Sequence, residues 1–321
     1  MQLGMVTDSL GHLPFEEMLD VCVELGITHV ELPVGGWSTA PHCDLEQLLS
    51  DPAALDRFTT AIRDRGLVIS AFNANGNQLH PVTGAEGDRV LRGAVELAHR
   101  LEVDTVVCMS GLPGGAPGDR TPNWVTTSWP PETQAVLEYQ WNDVALPYWE
   151  EMARFGAGRG VRFAVEMHGA QLVHGARTLL RLREAIGPQI GANLDPSHPM
   201  WQGADPRALI GALDGAIHHV HAKDVRLNPR IVEVDGVLDT TPVDRPQDRA
   251  WNFVTLGLGA EGGARFWGQL LSDLRAAGYD GVLSIEHEDI HIDAVEGLRQ
   301  TVALLVGVMP VAAPSWRPAA I

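Results

Sequence analysis

Eight short apolar runs recur along the chain, and each is followed by an amphipathic segment. The runs are 2–6 (QLGMV), 28–33 (THVELP), 67–72 (LVISAF), 104–109 (DTVVCM), 161–167 (VRFAVEM), 190–194 (IGANL), 217–222 (IHHVHA) and 281–286 (GVLSIE). The intervening segments are 14–25, 52–65, 86–101, 133–158, 175–186, 205–213, 264–276 and 292–306. Strand and helix in regular alternation imply parallel pairing, because parallel neighbours need a crossover connection. Eight such units predict an α/β fold, a (β/α)8 TIM barrel. An open doubly wound sheet would carry a glycine-rich phosphate loop after its first strand, and TDSLGHLP is not one.

The 321 residues suit a single barrel domain over 1–308. Two long loops, 110–132 after strand four and 224–263 after strand seven, belong to the C-terminal face, where barrels do chemistry. The Pro/Ala-rich tail, 309–321, is expected to be irregular. No apolar run reaches the ~18 residues of a membrane span. MQLGMVTDSL lacks the pattern of a signal peptide, and Cys22, Cys43 and Cys108 form no CxxC spacing, so a cytoplasmic location is expected. A net charge of −18 argues against a nucleic-acid partner, which would require a basic surface.

Side chains alternate along a strand, so one barrel face holds residues i and i+2. In strand seven, Val220 and Ala222 suit the helix-packing face, as His218 then does, which turns His219, His221 and Lys223 inward. His221 lies nearer the functional end and is the ligand candidate. Lys223 is the only lysine in the chain, which suggests a position that needs a compact ammonium. The same alternation turns Glu166 and His168 inward from strand five, Asn193 and Asp195 from strand six, and Ser284, Glu286 and Glu288 from strand eight. Glu166, Asp195, His221 and Glu286 thus meet at one mouth. Three carboxylates so placed repel one another unless a cation joins them. Oxygen-rich ligation without thiolate points to Mn²⁺, with Mg²⁺, Co²⁺ or Zn²⁺ as alternatives.

At these residues the chain resembles the sugar phosphate isomerase/epimerase, or xylose-isomerase-like, TIM-barrel superfamily. The motifs are EMH at 166–168, DPSH at 195–198, HAKD at 221–224 and SIEHED at 284–289. The resemblance spans nearly the whole chain. It implies that Glu166, Asp195, His221 and Glu286 hold one divalent metal, and that His198 lines the substrate site. Longer stretches, among them NANGNQLHP, NLDPSHPMWQG, VDGVLD and WNFVTLGLG, resemble the catalytic subunits of bacterial C-glycoside deglycosidases. That narrower resemblance implies cleavage of the carbon–carbon bond between a 3-oxo-glucoside and an aromatic aglycone, together with a small second subunit.

The superfamily's shared step removes a proton next to a carbonyl while the metal acts as Lewis acid. For a 3-oxo-glycoside this implies C2 deprotonation, an enediolate and elimination at C1. The alternative is a metal-dependent ketose or inosose isomerase, epimerase or dehydratase. The residues expected to act in catalysis are His168, as base, with His198, Glu166 and Glu286. Asn73, Asn75, His80 and Lys223 are candidate substrate contacts, as are Trp124 and Trp201, whose aromatic faces can stack on sugars or flat aglycones. Trp129 and Trp251 belong to the same loops, and Glu288 and Asp289 are candidate supports of the site.

Overall fold

The computed structural model describes residues 1–312, 315 and 316. Ten strands occur in chain order: β1 (Gln2–Val6), β2 (His29–Pro33), β3 (Val68–Asn73), β4 (Thr105–Met109), β5 (Arg162–Glu166), β6 (Ile190–Leu194), β7 (Ile217–Ala222), β8 (Asp224–Leu227), β9 (Trp251–Val254) and β10 (Val282–Ile285). Eight of them close a barrel in the order β1-β10-β7-β6-β5-β4-β3-β2, and every barrel pairing is parallel. The expected (β/α)8 architecture is therefore present, and the eight sequence runs coincide with its strands.

The two faces of each strand carry different chemistry. Outward residues such as Val30, Leu32, Val165, Leu194, Val220, Leu283 and Ile285 are fully buried against the surrounding helices. Trp149 and Trp267, both with no exposed surface, fill the same layer from helices Leu146–Ala157 and Ala264–Ala276. Within the barrel a small apolar cluster of Ala71, Val107 and Ala164 forms a separate compartment. Buried polar residues, Glu31, Asn73, Asn193 and His219, also lie on the inward-facing set. The core is thus greasy outside the barrel wall and polar inside it.

Two segments depart from expectation. The stretch 224–263 is more than a loop: β8 and β9 pair antiparallel, with Asp224 opposite Val254 and Leu227 opposite Trp251, and Pro229–Asp235 forms a helix between them. Asp224 anchors this ribbon. Its carboxylate accepts hydrogen bonds from the backbone of Val225, Gly257 and Ala260 and from Trp267 Nε1. Gly259 is required there, since a Cβ would stand 2.4 Å from the Val225 carbonyl oxygen. The second departure is in the expected helix 133–158, which contains a π-helical stretch, Tyr139–Ala145. The tail is non-helical over 309–312, and part of it lies outside the described residues.

Candidate metal centre and catalytic chamber

The barrel register sets the expected ligands side by side. Met109 pairs with Glu166, Glu166 with Asn193, and His221 with Ser284. His221 Nδ1 lies 3.4 Å from Glu166 Oε2 and 3.1 Å from Glu286 Oε2. Glu166, Asp195 and His221 each offer a donor atom within 4.8 Å of the others. Asp195 follows β6 in a tight turn, where Ser197 N and Oγ both donate to Oδ1. That turn fixes the carboxylate and leaves Oδ2 for the centre.

A divalent cation fits this donor set. Asp195 Oδ2, His221 Nδ1 and Glu286 Oε2 are all buried; the first two lack a hydrogen-bond partner, and Glu286 Oε2 has the Lys223 ammonium 3.1 Å away as its counter-charge. Unpaired buried polar atoms are costly, and their convergence is the signature of ligands aimed at an ion. The electrostatics agree. Burial, opposed by Lys223 and His221 and reinforced by Glu166 and Glu286, pushes the Asp195 carboxyl up to about 8. The carboxylates cannot all ionise together without added positive charge.

One residue of this centre escapes the sequence argument. Glu31, fully buried on β2, accepts from His221 Nε2 at 3.0 Å, from His219 Nε2 at 2.8 Å and from Asn73 Nδ2 at 2.7 Å. Burial opposes its ionisation, but His221 and His219 outweigh burial and hold it well below the ordinary carboxylate range. Glu31, His219 and His221 also cluster at metal-ligating distance. Their facing atoms are already hydrogen-bonded to one another, so this set orients His221 and is not itself a metal site. Once Nδ1 gives up its proton, the proton kept on Nε2 leaves the Nδ1 lone pair pointing at Glu166 and Glu286.

Glu166 is held by two amides, Asn75 Nδ2 at 3.1 Å and Asn193 Nδ2 at 3.0 Å, both on Oε2. The Lys223 ammonium lies 3.1 Å from Glu286 and 2.7 Å from Glu288, and 4.2 Å from the centroid of the Phe253 ring. Burial favours the neutral amine, but Glu286 and Glu288 outweigh it and keep Lys223 charged. The buried ammonium thus meets two carboxylates and a ring face as a compact point charge, the role for which lysine differs from arginine.

His168 and His198 stand over the centre with ring centroids 4.0 Å apart. His168 is half-buried, and its Nδ1 bonds the Gly169 carbonyl, so Nε2 carries the free lone pair. His198 Nε2 lies 3.2 Å from Glu166 Oε1 and 3.4 Å from Asp195 Oδ2. Burial first, then His168, depresses His198 to about 3, so it is neutral at ordinary pH. Glu166, His168 and His198 form a further possible ligand group.

Two cavities meet here. The smaller, about 240 Å³, reaches Glu166, Glu286, Lys223, Asn75 and His168. Trp37 and Asp8 also line it, and neither follows from strand alternation, because Trp37 lies in the turn after β2 and Asp8 in the 3-10 turn Thr7–Leu10 after β1. The larger, about 670 Å³, is walled by Trp124, Trp201, Trp251 and Phe253. Trp201 stacks on Trp251 at 4.7 Å with rings nearly parallel. The two cavities share His168, His198, Phe253 and Glu288.

Four other residues named from the sequence are placed as follows. His80 lines neither cavity; its Nδ1 accepts from the backbone of Val82 and Thr83 and shapes the turn before helix Gly84–Arg100. Asn73 lines the smaller cavity, with its amide given to Glu31 and its side-chain carbonyl accepting from the Asn75 backbone. Trp129 is largely exposed and lines neither chamber. Asp289 receives Thr255 and His291 and braces the β9 segment.

Comparison with known proteins adds a family. The model of the xylose isomerase-like TIM barrel family matches residues 19–306. The chain belongs to this family. Among relatives of the xylose isomerase-like barrels, the uncharacterized protein YfiH of Bacillus subtilis (strain 168) is 44% identical over 309 residues, covering 95% of this chain and 98% of its own. The rhizopine catabolism protein MocC of Rhizobium meliloti is 30% identical over 139 residues, 43% of this chain and 39% of its own. The probable 3-DHS dehydratase AsbF of Bacillus anthracis shares the fold with TM-score 0.68 at 18% identity, covering 95% of this chain and 99% of that one. The IOLI protein with a bound zinc atom aligns with TM-score 0.66 at 18% identity, covering 96% and 98%.

Proposed function

We propose that this protein is a divalent-metal-dependent carbohydrate enzyme that removes a proton from the carbon beside a carbonyl, as an isomerase, epimerase or dehydratase does. The carrying observation is the convergence of Glu166, Glu286 and the unpartnered Asp195 Oδ2 and His221 Nδ1 beneath a histidine pair. Structural neighbours in the family include a probable dehydratase and an L-ribulose 3-epimerase, which supports this class of reaction. Glu166, Asp195, His221 and Glu286 would hold the metal, with Mn²⁺ the first candidate on its oxygen-rich ligation. The metal, when bound, supplies Lewis acidity to the substrate carbonyl. His168 takes the proton on Nε2, because its Nδ1 is engaged by Gly169. Neutral His198 hydrogen-bonds a substrate oxygen, and Asn75 and Asn193 keep Glu166 in place. Lys223 holds Glu286 and Glu288 over the smaller cavity.

The aromatic chamber favours a second, finer reading of the same proton abstraction. A cavity walled by Trp124, Trp201, Trp251 and Phe253 exceeds what a single sugar ring fills and suits a flat aromatic group. In a 3-oxo-glycoside, loss of the C2 proton to His168 forms an enolate. Its electrons form the C1–C2 double bond and expel the C1 substituent with its bonding pair; the departing group then takes up a proton. A small partner subunit is part of this reading, and the exposed Val243, which lines the chamber, with the exposed Val234 and Leu238 of the same 224–263 segment, supports it. Incubation of Mn²⁺-loaded protein with ketoses and with aryl 3-oxo-C-glucosides separates the readings. A rearranged sugar marks the isomerase or epimerase, an unsaturated sugar the dehydratase, and free aglycone the glycoside lyase. Turnover of neither class after verified metal loading would reject both.

A further inference from the structure

A third cavity, about 390 Å³, shares Trp124 with the aromatic chamber and is lined by none of the expected metal ligands. Its lining includes Arg177, Arg181 and His174 and, among the described residues, no aspartate or glutamate. In a chain of net charge −18 such a lining selects for an anion. The two arginines are one turn apart on helix Ala176–Ile186, so both face the cavity. Neither has an ion-pair partner among the described residues, and Arg181 lies flat over Trp141 at 4.3 Å.

A second, independent feature asks for more than charge. Gln140 and Gln171 line the same cavity, are 0% and 1% exposed, and each keeps its Oε1 without a partner. The Gln140 orientation is fixed, because its Nε2 donates to the carbonyls of Pro113, Gly114 and Asn123. The π-helical turn Tyr139–Ala145 carries Gln140 and Trp141 to this wall. Such turns insert a residue out of helical phase, often where a ligand binds. Two orphaned acceptors require donors, and a simple anion offers none. A molecule with both a carboxylate and hydroxyl groups satisfies guanidinium and amide alike.

We propose that this cavity is a second binding site, for a small polyhydroxy carboxylate such as a sugar acid. The carboxylate lies against Arg177 and Arg181, and hydroxyls donate to Gln140 and Gln171. Trp124 is the wall shared with the aromatic chamber, so the site is adjacent to catalysis but made of different residues. The proposal is independent of the metal reading, since no metal-centre residue takes part.

The test is calorimetric titration of EDTA-treated protein with D-gluconate, which removes metal chelation as a source of heat. Saturable one-to-one binding is expected, unchanged in His221→Ala. The exposed pair Arg177→Gln/Arg181→Gln should weaken it at least tenfold, and Gln171→Leu should weaken it for gluconate but not for inorganic phosphate. Absence of binding, or equal affinity in the double arginine variant, overturns the site. Phosphate binding as tightly as gluconate, with no effect of Gln171→Leu, overturns the ligand class.

Discussion

Glu31 Oε1 accepts a hydrogen bond from His221 Nε2 at 3.0 Å, across the barrel interior from β2 to β7. This contact decides which imidazole nitrogen faces the carboxylates. Supporting carboxylates of this kind typically raise metal affinity ~10–100-fold. Glu31→Gln should therefore weaken Mn²⁺ binding by about that factor while the barrel stays folded. Titration followed by electron paramagnetic resonance reads it directly. Unaltered affinity would separate Glu31 from the centre.

Metal uptake should release protons. Burial, with Glu166 and Glu286, pushes Asp195 up to about 8, so below that pH it is protonated without metal. Burial opposes the charge on His221, but Glu31 and Glu286 outweigh it and keep the imidazolium. Both must lose a proton to bind a cation. Calorimetry at pH 7 in buffers of different ionisation enthalpy should show release of more than one proton per metal, and Asp195→Asn should lower that number.

His218 points to the helix side, where its Nδ1 meets the Phe163 carbonyl at 3.0 Å. Burial lowers it from 6.5 to about 4. Between those values the unfolded chain binds the extra proton, so this contribution is complete above pH 6.5 and lost as pH falls towards 4. The full loss is about 3 kcal/mol. Urea unfolding of metal-free protein should show a flatter pH slope over this window for His218→Asn than for wild type.

Asp224 gathers the loop that carries β9 and Phe253 to the chamber. Asp224→Ala leaves its buried donors unpaired and should cost about 3 kcal/mol. The measurement is the urea midpoint. A shift smaller than ~0.5 kcal/mol would mean that the ribbon holds without this anchor.

The barrel, and the meeting of Glu166, Asp195, His221 and Glu286 at its mouth, were legible because strand alternation has a period of two and the two barrel faces differ in chemistry. THVELP obeys the same alternation and marks Glu31 as inward, but its role depends on His219 and His221, some 190 residues away and not on a neighbouring strand. Asn73 ends β3 and His80 lies in the turn beyond it, where polar residues are common for many reasons. Which of them meets substrate is set by local backbone geometry that residue type does not encode. The β8–β9 ribbon consists of four-residue strands, too short for a periodic signal, and the π-helical turn leaves no mark in an amphipathic pattern.

The central claim is metal-dependent proton abstraction by His168 beside a carbonyl. Proton NMR in D₂O, with a ketose or 3-oxo-glycoside, follows the carbon-bound proton next to that carbonyl. The account predicts its loss with Mn²⁺-loaded protein, arrest by EDTA, recovery on adding Mn²⁺, and a rate at least 100-fold lower in His168→Asn. Exchange at the full wild-type rate in EDTA-treated His221→Ala, or in His168→Asn, would contradict it.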